Sequence, residues 1–295
     1  MGNGFVVRDS QWGTPVDLDY SLALGLAAAA AAILGSMLGL GGGVFIVPLF
    51  TLYLDVDPKI AVGASAIAVV TNSVVGSSNH LRNGFTNIRL SMLLQISTAI
   101  GAIIGAIIAI WVDASFLKVV LGLILVYSAF SMIRSRKKVY PNAPPDAPDP
   151  LALRASFTEP TTGGEVCYVP QRVPVGVSIS TGAGVLSGML GIGGGVIQVP
   201  MMNLVMKMPV KAAAGTSAFM VGMTAVATAT VFYSEGKIDP QVAVPAMLGV
   251  FLGASAGSTL TKRLPTDRLI VLFFVILTYL GASMILAAFG LNPFG

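Results

Sequence analysis

The chain has 295 residues, of which 55% are hydrophobic and only 10% are charged, and its mean hydropathy is +0.84. A soluble domain carries about 25% charged residues, so this composition excludes an ordinary soluble protein and indicates one that crosses a membrane several times. The net charge of +4 comes from lysines and arginines between apolar runs, where they orient a membrane protein, so we expect no nucleic-acid partner.

The chain begins with a segment, 1–19, whose Arg8 is outnumbered by three aspartates. It is unlike the basic start of a cleaved signal, so the apolar run at 21–38 is predicted to be a retained helix. After a glycine-rich break comes a short apolar piece at 44–54, which as a helix covers about half of a ~30 Å hydrocarbon core. Three longer apolar runs predict spanning helices at about 60–78, 90–112 and 115–133.

A polar segment at 134–174 separates the two halves of the chain. It begins with RSRKK and holds 8 of the 17 prolines, so it is predicted to be a cytoplasmic linker, with a short strand near 165–175. The second half repeats the order of the first, with predicted helices at 175–190, 195–206, 212–233, 241–261 and 268–289. Residues 291–295 form a C-terminal tail.

An offset of 152 residues relates the two halves. Residues 37–48, MLGLGGGVFIVP, and 189–200, MLGIGGGVIQVP, agree at nine of twelve positions. The predicted fold is therefore an all-α polytopic membrane protein with two repeats, 20–133 and 175–290. Each repeat is a glycine-broken helical hairpin followed by three transmembrane helices. GxxxG spacings at 101–105 and 253–257 are explained by close helix packing.

The basic residues predict how the halves are oriented. If each hairpin returns to its starting side, the loops that share one face hold 13 of the 17 basic residues; these are 79–89, 134–174, 207–211 and 262–268. The positive-inside rule makes that face cytoplasmic, so the halves are inverted and both termini are extracytoplasmic. Inverted repeats with paired glycine breaks are typical of secondary transporters, whose site lies near the midplane.

The glycine breaks are predicted to bind an anion. Unwound backbone exposes N–H groups, and the half-helices that start at Val44 and Val196 direct their positive ends at the breaks. A purely structural role is the alternative. The expected substrate-binding residues are Gly41, Gly42, Gly43, Ser65, Asn72, Gly193, Gly194, Gly195, Gln198, Thr216 and Ser217. Lys59 and Lys211 start corresponding helices and are either interfacial anchors or groups that attract anions to each mouth.

Catalysis and metal binding are not expected. The single cysteine, Cys167, cannot form an intramolecular disulfide, and no cluster of cysteine and histidine has metal-ligand spacing. The apolar runs also lack the acid-base or nucleophile pairs that an enzyme needs, and they carry no carboxylate that could relay protons at mid-membrane. We therefore predict no enzymatic activity, no cofactor and no metal.

The doubled motif resembles the TauE/SafE family of membrane permeases across nearly all of 20–290. GLGGGVFIVP and GIGGGVIQVP open the two halves, VGAS and AGTS follow, and a polar linker lies between them. The resemblance implies a multi-pass protein of a prokaryotic inner membrane that exports sulfite or a small organosulfonate such as sulfoacetate. The motif falls on Gly39, Gly41, Gly42, Gly43, Pro48, Gly191, Gly193, Gly194, Gly195 and Pro200. Ile46 is paired with Gln198, and Ala64 with Thr216, so the second half is expected to supply more ligands.

The predicted function is secondary transport of a small anion by alternating access, in a lipid bilayer. Coupling to H+ or Na+, and a homo-oligomer, are both compatible with the sequence. One alternative is a passive anion channel, which shares the features above. The other is a membrane scaffold or signalling component that acts through its linker.

Overall fold

The computed structural model describes residues 18–37, 40–136, 142–144, 148–159, 163–260 and 266–290. The first half of the described chain forms α1 (Leu18–Met37), α2 (Gly43–Tyr53), α3 (Pro58–Arg82), α4 (Ile88–Trp111) and α5 (Ala114–Arg136). The linker forms β1 (Ala155–Thr158) and β2 (Glu165–Tyr168). The second half forms α6 (Val173–Leu190), α7 (Gly195–Leu204), α8 (Val210–Ser234), α9 (Pro240–Leu260) and α10 (Thr266–Ala288). Most of the predicted terminal segment 1–19, the tail 291–295 and Gly39 lie outside the described residues.

Eight of the described helices are long and apolar enough to cross a membrane. This confirms the prediction of an all-α polytopic membrane protein. The two helices that follow the glycine breaks are much shorter, with 11 residues in α2 and 10 in α7. At 1.5 Å per residue each measures about 15–17 Å, roughly half of a bilayer core.

The helices of one half pack on those of the other. α1 packs along α9 and α4 along α6, which are equivalent pairs under the 152-residue offset. α3 lies against α8 and α5 against α10, so these helices pack on their own counterparts. Residues near Gly63, at the start of α3, contact Lys237 just after α8, whereas Phe85, just after α3, contacts Gly215 near the start of α8. The counterparts α3 and α8 therefore run antiparallel.

Each glycine-broken hairpin begins and ends at the same end of the bundle. In the first, the Tyr20 hydroxyl donates a hydrogen bond of 3.0 Å to the carbonyl of Leu54, just after α2. In the second, the N–H of Gln171 donates to the carbonyl of Met206 at 3.0 Å. α3 follows the first hairpin and α8 the second. Because α3 and α8 are antiparallel, the two hairpins enter the bundle from opposite ends.

The linker folds onto the end of the bundle where α3 ends. The strand predicted near 165–175 is β2, and it pairs antiparallel with β1, which the sequence analysis did not identify. The Asn87 side chain donates to the carbonyl of Leu153 at 2.7 Å, and the Phe157 ring meets Phe85 edge to face at 5.3 Å. Burial raises the pKa of Tyr168 to about 12, against the opposing effect of its hydrogen bond with Asn87.

Candidate functional site

The two glycine breaks have the same backbone geometry. Gly41 and Gly42 have φ of 84° and 77°, and Gly193 and Gly194 have φ of 78° and 80°. This left-handed region is strained for residues with a β-carbon, which explains the paired glycines. Gly42 and Gly194 are the N-cap residues of α2 and α7, and neither helix start is capped by a side chain. First-turn N–H groups of both half-helices are therefore directed at the breaks.

The two breaks meet inside the bundle. A β-carbon at Gly41 would lie 2.6 Å from Val221 Cγ1, and one at Gly193 would lie 2.5 Å from the same atom. Val69 of α3 touches both positions as well, at 3.3 and 2.8 Å. The hydroxyl of Ser65 crosses between the halves and donates to the carbonyl of Gly191 at 2.9 Å. The hairpin tips, which enter from opposite ends, thus share one buried contact region.

The proline of the repeated motif frees a carbonyl in the second break. Pro200 lies inside α7 and has no N–H to donate to the carbonyl of Val196, four residues before it. The hydroxyl of Ser128 on α5 donates to that carbonyl instead, at 3.0 Å. The half-helix is therefore held in place by a helix of the other half.

Three buried side chains beside the breaks have polar atoms without a hydrogen-bond partner in the described part of the chain. They are Asn72 through Oδ1, Ser187 through Oγ, and Gln198 through both amide atoms. The Nδ2 atom of Asn72 is 3.7 Å from the β-carbon position of Gly42, and Gln198 Nε2 is 3.4 Å from that of Gly194. Burying an unpaired polar group costs about 1–3 kcal/mol, and a ligand that bonded to these atoms would recover part of that cost.

Ser187 was not among the predicted ligands. Its Oγ lies 3.5 Å from the β-carbon position of Gly194, as close as the Gln198 amide. The sequence does contain a signal for it, because the 152-residue offset pairs this serine with Gly35, which is a third polar gain in the second half.

Thr216 and Ser217 have different surroundings, although they are neighbours in α8. Thr216 Oγ1 accepts a hydrogen bond of 3.0 Å from the N–H of Asn87, so this hydroxyl contacts the connection between α3 and α4. Ser217, the counterpart of Ser65, is fully buried. The structure therefore engages Thr216 away from the breaks, and its role as a ligand stays a prediction.

The two lysines predicted at the mouths both have partners. Lys59 Nζ donates to the carbonyl of Ile110 at 2.7 Å, in the last turn of α4, where a cation complements the helix dipole. Lys211 forms an ion pair with Glu159 of the linker. These contacts favour anchoring, and attraction of anions stays a prediction.

The other glycine spacings serve packing. A β-carbon at Gly101 would lie 3.0 Å from the Val185 nitrogen, and one at Gly105 would lie 2.7 Å from the Val185 carbonyl carbon. Likewise, β-carbons at Gly253 and Gly257 of α9 would overlap the backbone of α1, so these glycines allow α1 and α9 to pack closely. A cavity of about 850 Å³ lies elsewhere, between the linker and the start of α6, with Arg172 in its wall. Within the described residues no cluster of His, Cys, Asp or Glu could hold a metal ion.

Comparison with known proteins decides the family. The model of the sulfite exporter TauE/SafE family matches residues 24–284. The chain belongs to this family. It is 24% identical to the probable membrane transporter protein YunE of Bacillus subtilis, over 86% of this chain and 93% of that protein. The probable membrane transporter protein MJ0441 of Methanocaldococcus jannaschii is 25% identical over 86% of this chain and 91% of its own length.

A longer relative contains a similar region. The probable membrane transporter protein MamO of Magnetospirillum gryphiswaldense is 28% identical over 89% of this chain, and the match covers 44% of MamO. No solved structure matches the chain significantly. The family and these relatives establish a membrane transporter.

Proposed function

We propose that the protein is a secondary transporter that exports a small anion, sulfite or a small organosulfonate such as sulfoacetate. The observation that carries the proposal is the meeting of two buried glycine breaks around Val69 and Val221, with the unpaired Ser187 hydroxyl and Gln198 amide beside the second break. The ligands of the site are Gly41, Gly42, Gly43, Ser65, Asn72, Gly193, Gly194, Gly195, Gln198 and Ser217.

The chemistry of these groups suits an oxyanion. First-turn N–H groups of two half-helices and neutral side-chain donors bind negative charge without a fixed countercharge. A fixed cation at this depth would hold an anion tightly and slow its release. Neutral donors allow the anion to bind and to leave, as transport requires.

The arrangement of the hairpins supports alternating access. Antiparallel packing of α3 and α8 is what inverted halves would produce, and it brings the hairpins in from opposite ends. Movement of one half against the other would open the shared contact region first to one end and then to the other. By the positive-inside rule, the end covered by the linker is cytoplasmic.

The family supports this choice of substrate, because the matching model is that of the sulfite exporter TauE/SafE family. The curated relatives are named only as probable membrane transporters, so they support transport without adding a substrate. An H+ or Na+ gradient would supply the energy for uphill export.

The test is flux of sulfite and sulfoacetate in liposomes that contain the purified protein. Gly42→Ala and Gly194→Ala each put a methyl group among the polar atoms of a break, at a strain of about 1–2 kcal/mol. We expect flux to fall about tenfold or more in both variants. Gly76→Ala is the matched control, because its β-carbon meets no atom within 4 Å, and it should keep the flux of the unmodified protein.

Two results would contradict the proposal. Flux of neither anion above that of protein-free liposomes would remove the assigned function, and full flux in both glycine variants would remove the assigned site. Movement against an anion gradient, driven by H+ or Na+, is expected of a transporter. Strictly downhill movement would instead support the passive channel.

A further inference from the structure

The two glycine breaks differ in what they leave open. In the first, a β-carbon at Gly35 would overlap the backbone of Gly42, so α1 closes directly onto the break and leaves no space for a side chain. In the second, Ser187 occupies the position equivalent to Gly35, and its Oγ is 3.5 Å from the β-carbon position of Gly194. The side chain of Ser187 therefore lies between α6 and the second break, where the first break has no side chain.

A second difference between the breaks also adds a polar side chain to the second one. The first half-helix carries Ile46, and the second carries Gln198 at the equivalent place. Gln198 Nε2 is 3.4 Å from the same β-carbon position that Ser187 Oγ approaches. Both side chains are fully buried, and three of their polar atoms have no partner in the described structure. A hydroxyl and an amide therefore converge on one point beside Gly194.

The helices around this point carry almost no charged residues, and this limits the charge of an ion that can bind there. Helices α1, α2, α6 and α7 contain one charged residue, Asp19, in the first turn of α1. The charged residues of α3 and α8 lie in their terminal turns. Without a countercharge, the cost of bringing an ion into a low-dielectric region grows with the square of its charge. A dianion is therefore much costlier to bind here than a monoanion.

We propose that the second break supplies the principal side-chain donors of the site, where Ser187 Oγ–H and Gln198 Nε2–H bind a singly charged oxyanion while the first break completes the site. The inference rests on the proposed transport function and narrows its substrate. A sulfonate with no second ionised group, such as methanesulfonate, carries the required single charge at every physiological pH. Sulfoacetate also carries a carboxylate, so it is a dianion and is disfavoured by this pocket. Sulfite, which gains a proton near neutral pH, is bound as hydrogen sulfite.

Flux in proteoliposomes tests the pocket with two probes, sulfite and methanesulfonate. Ser187→Ala and Gln198→Met remove the donors and nearly preserve shape, and the double variant Ser187→Gly with Gln198→Ile gives the second break the residues of the first. Ser180→Ala is the matched control, a buried serine on the same helix, also without a partner in the described structure and about two turns before Ser187. Size-exclusion profiles establish that each variant is folded.

We expect each single variant to lose about tenfold in flux of both probes, the double variant to lose more, and Ser180→Ala to keep the flux of the unmodified protein. Sulfite flux should rise as the pH falls through its protonation, while methanesulfonate flux stays constant. Unchanged flux in folded Ser187 and Gln198 variants would overturn the pocket. Sulfite flux that follows the dianion, or methanesulfonate flux that shifts with pH in parallel, would overturn the charge assignment. Absence of flux from the unmodified protein would contradict the transport function itself.

Discussion

Replacement of Gly105 by alanine tests how closely the two halves are packed. Gly105 lies where α4 crosses α6, and a β-carbon there would overlap the Val185 carbonyl oxygen and lie 2.7 Å from its carbonyl carbon. Ordinary contact begins at 3.4 Å, so the helices would have to separate by about 0.7 Å or more. Such overpacking costs about 1–3 kcal/mol, and alanine returns at most about 1 kcal/mol through helix propensity. Because the overlap is with backbone atoms, the cost should lie near its upper end, which leaves a net loss of about 2 kcal/mol.

Thermal stability of the detergent-solubilised protein measures this loss, through the fraction that remains monodisperse after heating. Each 1 kcal/mol corresponds to a shift in Tm of about 2–4 °C. Gly182→Ala is the matched control on α6, because its β-carbon meets no atom within 4 Å, and it should melt at the same temperature or slightly higher. If Gly105→Ala melted together with this control, close packing of α4 on α6 would be refuted.

Three further predictions concern hydrogen bonds and the linker. Ser128→Ala leaves the buried Val196 carbonyl without its donor and should destabilise the protein by about 1–3 kcal/mol in the same melting assay; an unchanged Tm would show that the carbonyl has another partner. Asn87→Ala removes the N-cap of α4 and the hydrogen bond to Leu153, so limited proteolysis should cut the linker faster, and equal cleavage rates would contradict the docking. Burial holds Tyr168 protonated, with a pKa of about 12, so linker docking should be stable below about pH 10 and weaken as the pH rises through 12. In an absorbance titration, Tyr168→Phe should remove one tyrosine that ionises near pH 12. Loss of a tyrosine that ionises near pH 10 would contradict the burial of Tyr168.

The paired breaks could be predicted because duplication made them visible at one offset. Hydropathy located every described spanning helix, but it missed helix ends that carry polar residues. α3, for example, continues to Arg82, past the apolar run predicted at 60–78, and its polar last turn gives no hydropathy signal. Only the turn at Gly84, with φ of 71°, marks the point beyond which the helix cannot continue.

The candidate site depended on contacts that no local pattern contains. The sequence shows that Pro200 frees a carbonyl, but the hydroxyl that pairs with it belongs to Ser128 in the other half. Thr216 was predicted as a ligand because it takes the place of Ala64 of the first half, beside Ser217, yet successive residues of a helix point about 100° apart. One of the two hydroxyls consequently contacts the α3–α4 connection. Ser187 could have been predicted as a ligand only by comparing the two halves position by position, which pairs it with Gly35.

The central claim is that the anion binds at the second glycine break, beside Gly194, and diffraction from crystals grown with selenite tests it most directly. Selenite matches sulfite in shape and charge, and its selenium gives an anomalous signal that locates it. The account predicts a peak beside Gly194, within hydrogen-bond distance of Ser187 and Gln198. A peak found instead only in the linker cavity beside Arg172, in crystals of protein that transports sulfite, would contradict it.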